Sequence, residues 1–68
     1  MQIKIGSRWR VRGSSAPNTV WKLLSTINNV YELQCIKQDY CAFSPPLLGE
    51  TMMVTVGWFQ LKGIECND

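Results

Sequence analysis

The sequence contains no histidine, and its five acidic residues are scattered along the chain. Histidine is the side chain that exchanges protons near neutral pH, and a scattered set of acids offers no evident carboxylate pair, so this composition argues against general acid–base catalysis. A chain of 68 residues is also short for a large catalytic cleft, since a domain of this size buries only about 60% of its unfolded surface. We therefore expect a protein that is not an enzyme and has no cofactor.

Long apolar runs and an even set of cysteines are missing as well. No stretch approaches the roughly 20 apolar residues of a membrane helix, and residues 1–6 lack the apolar centre of a secretory signal. The three cysteines, Cys35, Cys41 and Cys66, form no C-x-x-C motif, so we expect no metal site. An odd number of cysteines favours a cytoplasmic protein, although a Cys35–Cys41 disulfide is an alternative in an oxidising compartment.

What the sequence does contain is enough apolar residues to fold, at 46% of the chain, and a period-two alternation typical of strands. The alternation occurs in residues 3–5 and again in residues 8–12, where apolar residues occupy the odd positions and basic residues the even ones. We predict that Trp9 and Val11 face the interior. The whole chain, residues 1–68, is predicted to form one domain.

A long hairpin is predicted around Asn28-Asn29, because two β-rich runs, residues 19–27 and 30–37, flank a pair that tolerates positive φ. The expected cross-strand pairs are Leu24–Leu33 and Thr26–Tyr31 on one face, and Trp21–Ile36 and Ile27–Val30 on the other. Apolar residues then occupy both faces of the hairpin. Either a twisted ribbon shared between two layers or a β-bulge that shifts the register would explain this distribution.

The rest of the chain completes a small all-β pattern. Residues 38–50 hold Pro45-Pro46 and are predicted to be a loop, and residues 51–56 alternate like a fourth strand that Gly57 ends. Residues 58–61 suit a single 3₁₀ turn and residues 63–66 a short closing strand. We predict a five-stranded SH3-like barrel or roll with a 3₁₀ turn before the last strand, because closing the sheet removes exposed edges.

The chain resembles small phage and prophage proteins of unknown function across residues 5–61. The resemblance rests on Gly6-Ser7-Arg8-Trp9, on the strand over residues 20–27 and on the aromatic pair Trp58-Phe59. It implies a phage or prophage accessory protein with an SH3-like shape. Pro45-Pro46-Leu47-Leu48 departs from that pattern, and an inserted loop there is where a function private to this protein would lie.

The first candidate binding surface is the loop that contains Tyr40, Phe43, Leu47 and Leu48. One interpretation is that these side chains pack over an open end of the barrel. The other is that they dock on a larger protein or on a second copy of this chain, since anchors stiffened by prolines lose little entropy on binding. We favour protein binding through residues 40–48.

The alternative is nucleic-acid binding by Arg8, Arg10 and Arg12, which we expect to project about 7 Å apart from one strand face, with Trp21 as a stacking platform. The simpler interpretation of the arginines is a solvated strand face. One interpretation of Trp9, Trp21 and Trp58 is an aromatic groove of the kind that SH3 and Tudor-like barrels use for proline-rich peptides or methylated side chains. The other is packing: Trp9 and Trp58 are predicted to lie in the core, whereas Trp21 suits core or surface equally.

Overall fold

The computed structural model describes residues 3–66. It consists of five strands and one short helix, and the helix lies between the last two strands. In chain order the elements are β1 (Arg8–Val11), β2 (Val20–Ile27), β3 (Val30–Lys37), β4 (Thr51–Thr55), α1 (Val56–Lys62) and β5 (Gly63–Glu65).

The strands form one antiparallel sheet in the order β4-β3-β2-β1-β5. The predicted mostly β architecture is confirmed at this level. The sheet is open, however, because β4 and β5 lie at its two edges and do not pair with each other within residues 3–66. A closed barrel is therefore not observed.

The hairpin between β2 and β3 turns at the predicted place. Asn28 and Asn29 both have positive φ, 49° and 64°, and Ile27 pairs with Val30 directly across the turn. Asparagine adopts this left-handed conformation more readily than other residues with a side chain, so the local sequence is sufficient to place the turn.

A β-bulge in β2 explains why apolar residues occupy both faces of the hairpin. Thr26–Tyr31 and Ile27–Val30 are paired as predicted, but the register shifts between Leu23 and Ser25. Beyond this shift Leu23, not Leu24, lies opposite Leu33. Leu23 and Leu33 are fully buried, whereas Leu24 is only half-buried.

Two predicted pairs are consequently wrong. Leu24 does not face Leu33, and Trp21 lies opposite Cys35 instead of Ile36. The physical reason is the extra residue in β2, which moves the partners of Leu23, Lys22 and Trp21 by one position. A second irregularity between Val20 and Trp21, where Ile36 is the extra residue in β3, restores the register at Val20–Lys37.

The N-terminal residues also differ from the prediction. Residues 3–5 do not form a strand; residues 5–6 are a turn, and Ile5 is exposed. The chain joins the sheet at Gly6 and Ser7 instead. Gly6 N donates to Leu23 O at 2.8 Å, and Leu23 N donates to Ser7 O at 2.9 Å.

Residues 56–62 form an α-helix. The sequence predicted instead that the fourth strand extends to residue 56, that Gly57 ends it and that residues 58–61 form a 3₁₀ turn. Thr55 caps the helix, since its hydroxyl accepts a hydrogen bond from Trp58 N at 3.2 Å. At the other end, Gly63 N donates to Phe59 O, and a Cβ at Gly63 would lie 2.7 Å from that oxygen. Only glycine allows β5 to begin so close to the helix.

Phe59 fixes the helix on the core face of the sheet. It is 3% exposed, and its ring makes edge-to-face contacts with Trp9 at 4.6 Å and with Tyr31 at 5.0 Å between ring centroids. Trp9 is buried as predicted. Trp58, predicted to be core, is half-buried and packs against the edge of the core.

We expect Phe59→Ala to lower the free energy of unfolding by about 3–5 kcal/mol, as truncation of a buried aromatic does. Leu61→Ala is the matched control, because Leu61 lies on the same helix and is exposed; it should cost less than about 0.5 kcal/mol. Urea unfolding followed by circular dichroism measures both. Equal losses for the two variants would contradict the proposed packing.

Candidate functional site

Residues 40–48, which we call the apolar loop, present large apolar side chains to solvent. Tyr40 is 80% exposed, Phe43 is fully exposed, and Leu47 and Leu48 are more than half exposed. The interpretation that these side chains pack over an end of the sheet is therefore wrong. The four side chains lie on the surface instead. Burying apolar side chains of this kind against a partner lowers the free energy, because it removes them from water.

The C-terminal end of the apolar loop is held by hydrogen bonds to β3. Cys35 N donates to Glu50 O and Gly49 N donates to Cys35 O, both at 2.8 Å. Within the same turn, the Glu50 carboxylate accepts from Leu47 N at 3.0 Å, and Glu50 N donates to Leu47 O at 3.0 Å. These bonds fix the backbone that carries Leu47 and Leu48.

The N-terminal end is held by the carboxylate of Asp39, which is 3% exposed. One oxygen accepts from Asn18 N and the other from Cys41 N, each at 3.0 Å. The hydrogen bond from Asn18 N, assisted by that from Cys41 N, lowers the pKa of Asp39 below its ordinary value, against the opposing effect of burial. The carboxylate thus ties the first connecting loop to the apolar loop. Sequence reasoning missed this role, since a lone aspartate before a turn is a weak signal.

The three cysteines lie in different environments. Cys35 is buried beneath the apolar loop, Cys41 is exposed within it, and Cys66 is half-buried after β5. Burial raises the pKa of the Cys35 thiol, although a hydrogen bond with the backbone of Lys37 opposes the shift. Cys35 therefore remains a protonated, apolar core residue at neutral pH.

The structure separates the residues of the predicted nucleic-acid surface. Trp9 pairs with Trp21 on the core face, so Arg8 and Arg10 lie on the outer face, the sheet face opposite the core. Arg12 lies beyond the end of β1. Trp21 is only 6% exposed and lies on the other side of the sheet from Arg8 and Arg10. The arginines and the tryptophan expected to stack on a base therefore do not form one surface.

Arg12 and Trp21 do meet at a second feature, a groove on the core side of the sheet that we call the tryptophan groove. It has a volume of about 360 Å³. Its lining residues are Val11, Arg12, Gly13, Ser14, Trp21, Met52, Trp58 and Lys62. Of the three tryptophans that the sequence suggested for an aromatic groove, Trp21 and Trp58 line it and Trp9 does not. The sequence did not place Arg12 and Lys62 together, because they are distant in the chain.

A metal-binding cluster and a membrane-spanning helix are both absent from the described part of the chain. Within residues 3–66, no three side chains of Cys, Asp or Glu come close enough together to hold a metal ion. No helix in the same range is long and apolar enough to cross a bilayer.

Comparisons with protein-family models, with curated proteins and with solved structures give no match.

We expect Asp39→Asn to destabilise the protein at pH 7, because an amide has one acceptor oxygen where the carboxylate uses two. The pKa of Asp39 is lower in the folded state than its ordinary value of 3.8. Its contribution is thus present above pH 3.8 and is lost as the pH falls through the folded-state pKa. The urea midpoints of the two proteins should differ clearly at pH 7, and a series of measurements at falling pH should show that difference shrinking only below pH 3.8. A constant difference would contradict this role.

We expect the thiols to react with iodoacetamide in the order of their exposure. Cys41 should be alkylated first, whereas Cys35 should react only when the protein unfolds, since it is buried and its pKa is raised. Mass spectrometry of digested samples after timed alkylation measures each site. Rapid labelling of Cys35 in the folded protein would show that the chain beneath the apolar loop is open.

Proposed function

We propose that the protein is a non-catalytic binding module that docks on a larger protein through the apolar loop. The supporting observation is the exposure of Tyr40, Phe43, Leu47 and Leu48 on one short loop. Scattered apolar residues are normal on protein surfaces, but aromatic and leucine side chains grouped on one loop suit the centre of an interface.

The hydrogen bonds at both ends of the loop support this proposal. A flexible loop would lose conformational entropy on binding, whereas this loop is already held by Asp39 at one end and by Glu50 at the other. Pro45 and Pro46 restrict the backbone between these ends. Part of the entropy cost of ordering the loop backbone is therefore already met when the protein folds.

We further propose an SH3-like roll and a phage or prophage accessory role, in which binding modulates the larger protein in the cytoplasm. The order of a long first loop, a hairpin, a second loop, a strand, a helical turn and a last strand is in favour of this fold. The likeness of Gly6-Ser7-Arg8-Trp9 and Trp58-Phe59 to small prophage proteins supports the biological setting.

Nucleic-acid binding through Arg8, Arg10 and Arg12 is the weaker candidate. Lys22 lies opposite Arg8 on the outer face of the sheet, which adds a third basic residue to Arg8 and Arg10 there. Trp21 nevertheless lies on the core side, and a net charge of +2 gives little affinity from counterion release.

We expect the double variant Phe43→Ser/Leu47→Ser to bind the partner at least about tenfold more weakly, because apolar anchors at interface centres carry most of the affinity. The wild type, immobilised and exposed to lysate of the source cells, identifies the partner by mass spectrometry. Titration of that purified partner by calorimetry then gives the affinity of each variant.

Two controls accompany this titration. Met53→Ser/Leu61→Ser removes two apolar side chains that are equally exposed elsewhere and should bind like the wild type. Arg10→Gln/Lys22→Gln should change binding only modestly, mainly in its rate. Loss of binding in the arginine variant, with retention in the loop variant, would refute the proposal in favour of a charged interface.

A further inference from the structure

The tryptophan groove joins an apolar floor to two cationic side chains. Trp21, Met52 and Trp58 supply the floor, and Arg12 and Lys62 lie at its rim. We propose that this groove is a second binding site, which takes a short acidic peptide segment: one large apolar side chain lies on the floor and a neighbouring carboxylate binds Arg12 and Lys62.

The backbone holds the two cations at one end of the sheet. Arg12 N donates to Lys62 O at 2.7 Å, directly after β1 and β5 pair at Val11 and Gly63. The Lys62 ammonium also lies over the following turn, since a Cβ at Gly13 would be 3.8 Å from its nitrogen. Both side chains are exposed.

The positive charge of the groove favours a negatively charged ligand. Among residues 3–66 no acidic residue lines it, so a carboxylate there would meet two positive charges and no negative one from that part of the chain. Hydrogen bonds between an ionised carboxylate and guanidinium or ammonium groups are among the stronger ones in proteins. A cationic peptide would be repelled by the same pair.

The floor favours a peptide side chain over a stacked base. Trp21 is buried in the core and Trp58 is half-buried, so neither ring offers its whole face for stacking. The volume of about 360 Å³ is at the lower end of the range of roughly 300–1,000 Å³ found for ligand sites. That space suits an apolar side chain with its adjacent carboxylate.

This site shares no lining residue with the apolar loop. A variant can therefore lose peptide binding at the groove and keep docking through the apolar loop, or the reverse. The groove variant Arg12→Gln/Lys62→Gln and the loop variant Phe43→Ser/Leu47→Ser distinguish the two proposals.

The test uses the full chain labelled with ¹⁵N and a pool of acetylated hexapeptides, in which each peptide carries one Leu, Phe or Trp among Asp and Glu residues. A pool with Lys in place of every acid and a deoxythymidine octamer are the comparison probes. We expect the acidic pool to shift the indole N–H signals of Trp21 and Trp58 and the backbone signals of residues 11–14. The other probes should leave them in place.

Arg12→Gln/Lys62→Gln should weaken binding of the acidic pool by about tenfold or more. Arg10→Gln/Lys22→Gln removes the same charge from the outer face and should weaken it by less than about twofold. Arg12→Gln alone serves if the double variant has a lowered melting temperature. Equal losses for the two double variants, stronger shifts with the octamer, or shifts confined to residues 40–48 would each overturn the proposal.

The loop variant Phe43→Ser/Leu47→Ser should bind the acidic pool as the wild type does. Loss of binding in that variant would assign the peptide to the apolar loop and would overturn the groove as a separate site.

Discussion

The packing of Phe59 between Trp9 and Tyr31 is the contact on which the rest of the structure depends. The sheet does not close by hydrogen bonds between its edge strands, so its core face would otherwise be open to water. Helix α1 covers that face, and Phe59 is the helix residue that is fully buried there. The same placement sets Trp58 and Lys62 beside Arg12 and so forms the tryptophan groove. Core packing and the second binding site therefore arise from one short helix.

The elements that depend on local sequence could be predicted, and those that depend on tertiary contacts could not. The turn at Asn28-Asn29 follows from two residues that tolerate positive φ, and the bounds of β3 follow from β-rich composition. Apolar residues on both faces indicated a bulge, but Leu23 and Leu24 are chemically identical, so alternation could not decide which of them turns inward. The helix was missed because Val56 and Gly57 are poor helix formers. It is stabilised by the Thr55 cap and by the burial of Phe59.

The two candidate sites differ in the same way. The apolar loop could be found from sequence, because its four apolar side chains and two prolines lie within nine consecutive positions, 40–48. The exposure of these side chains could not be predicted, because the local sequence does not show whether the rest of the chain covers them. The tryptophans suggested an aromatic groove, but its cationic rim could not be predicted, because Arg12 was grouped with its neighbours along the strand and Lys62 had no apparent partner. Only the pairing of β1 with β5 brings those two residues together.

The hydrogen bonds that hold the apolar loop come largely from residues at its margins, Asp39 and Glu50, and from the backbone of Cys35. During evolution, residues 40–48 are thus free to change identity, and even number, while the sheet and its core stay the same. Substitutions within the loop would change the surface it presents, whereas loss of the Asp39 carboxylate would weaken the fold. A chain with this fold can in this way change the chemistry of the loop without losing the stability of the sheet.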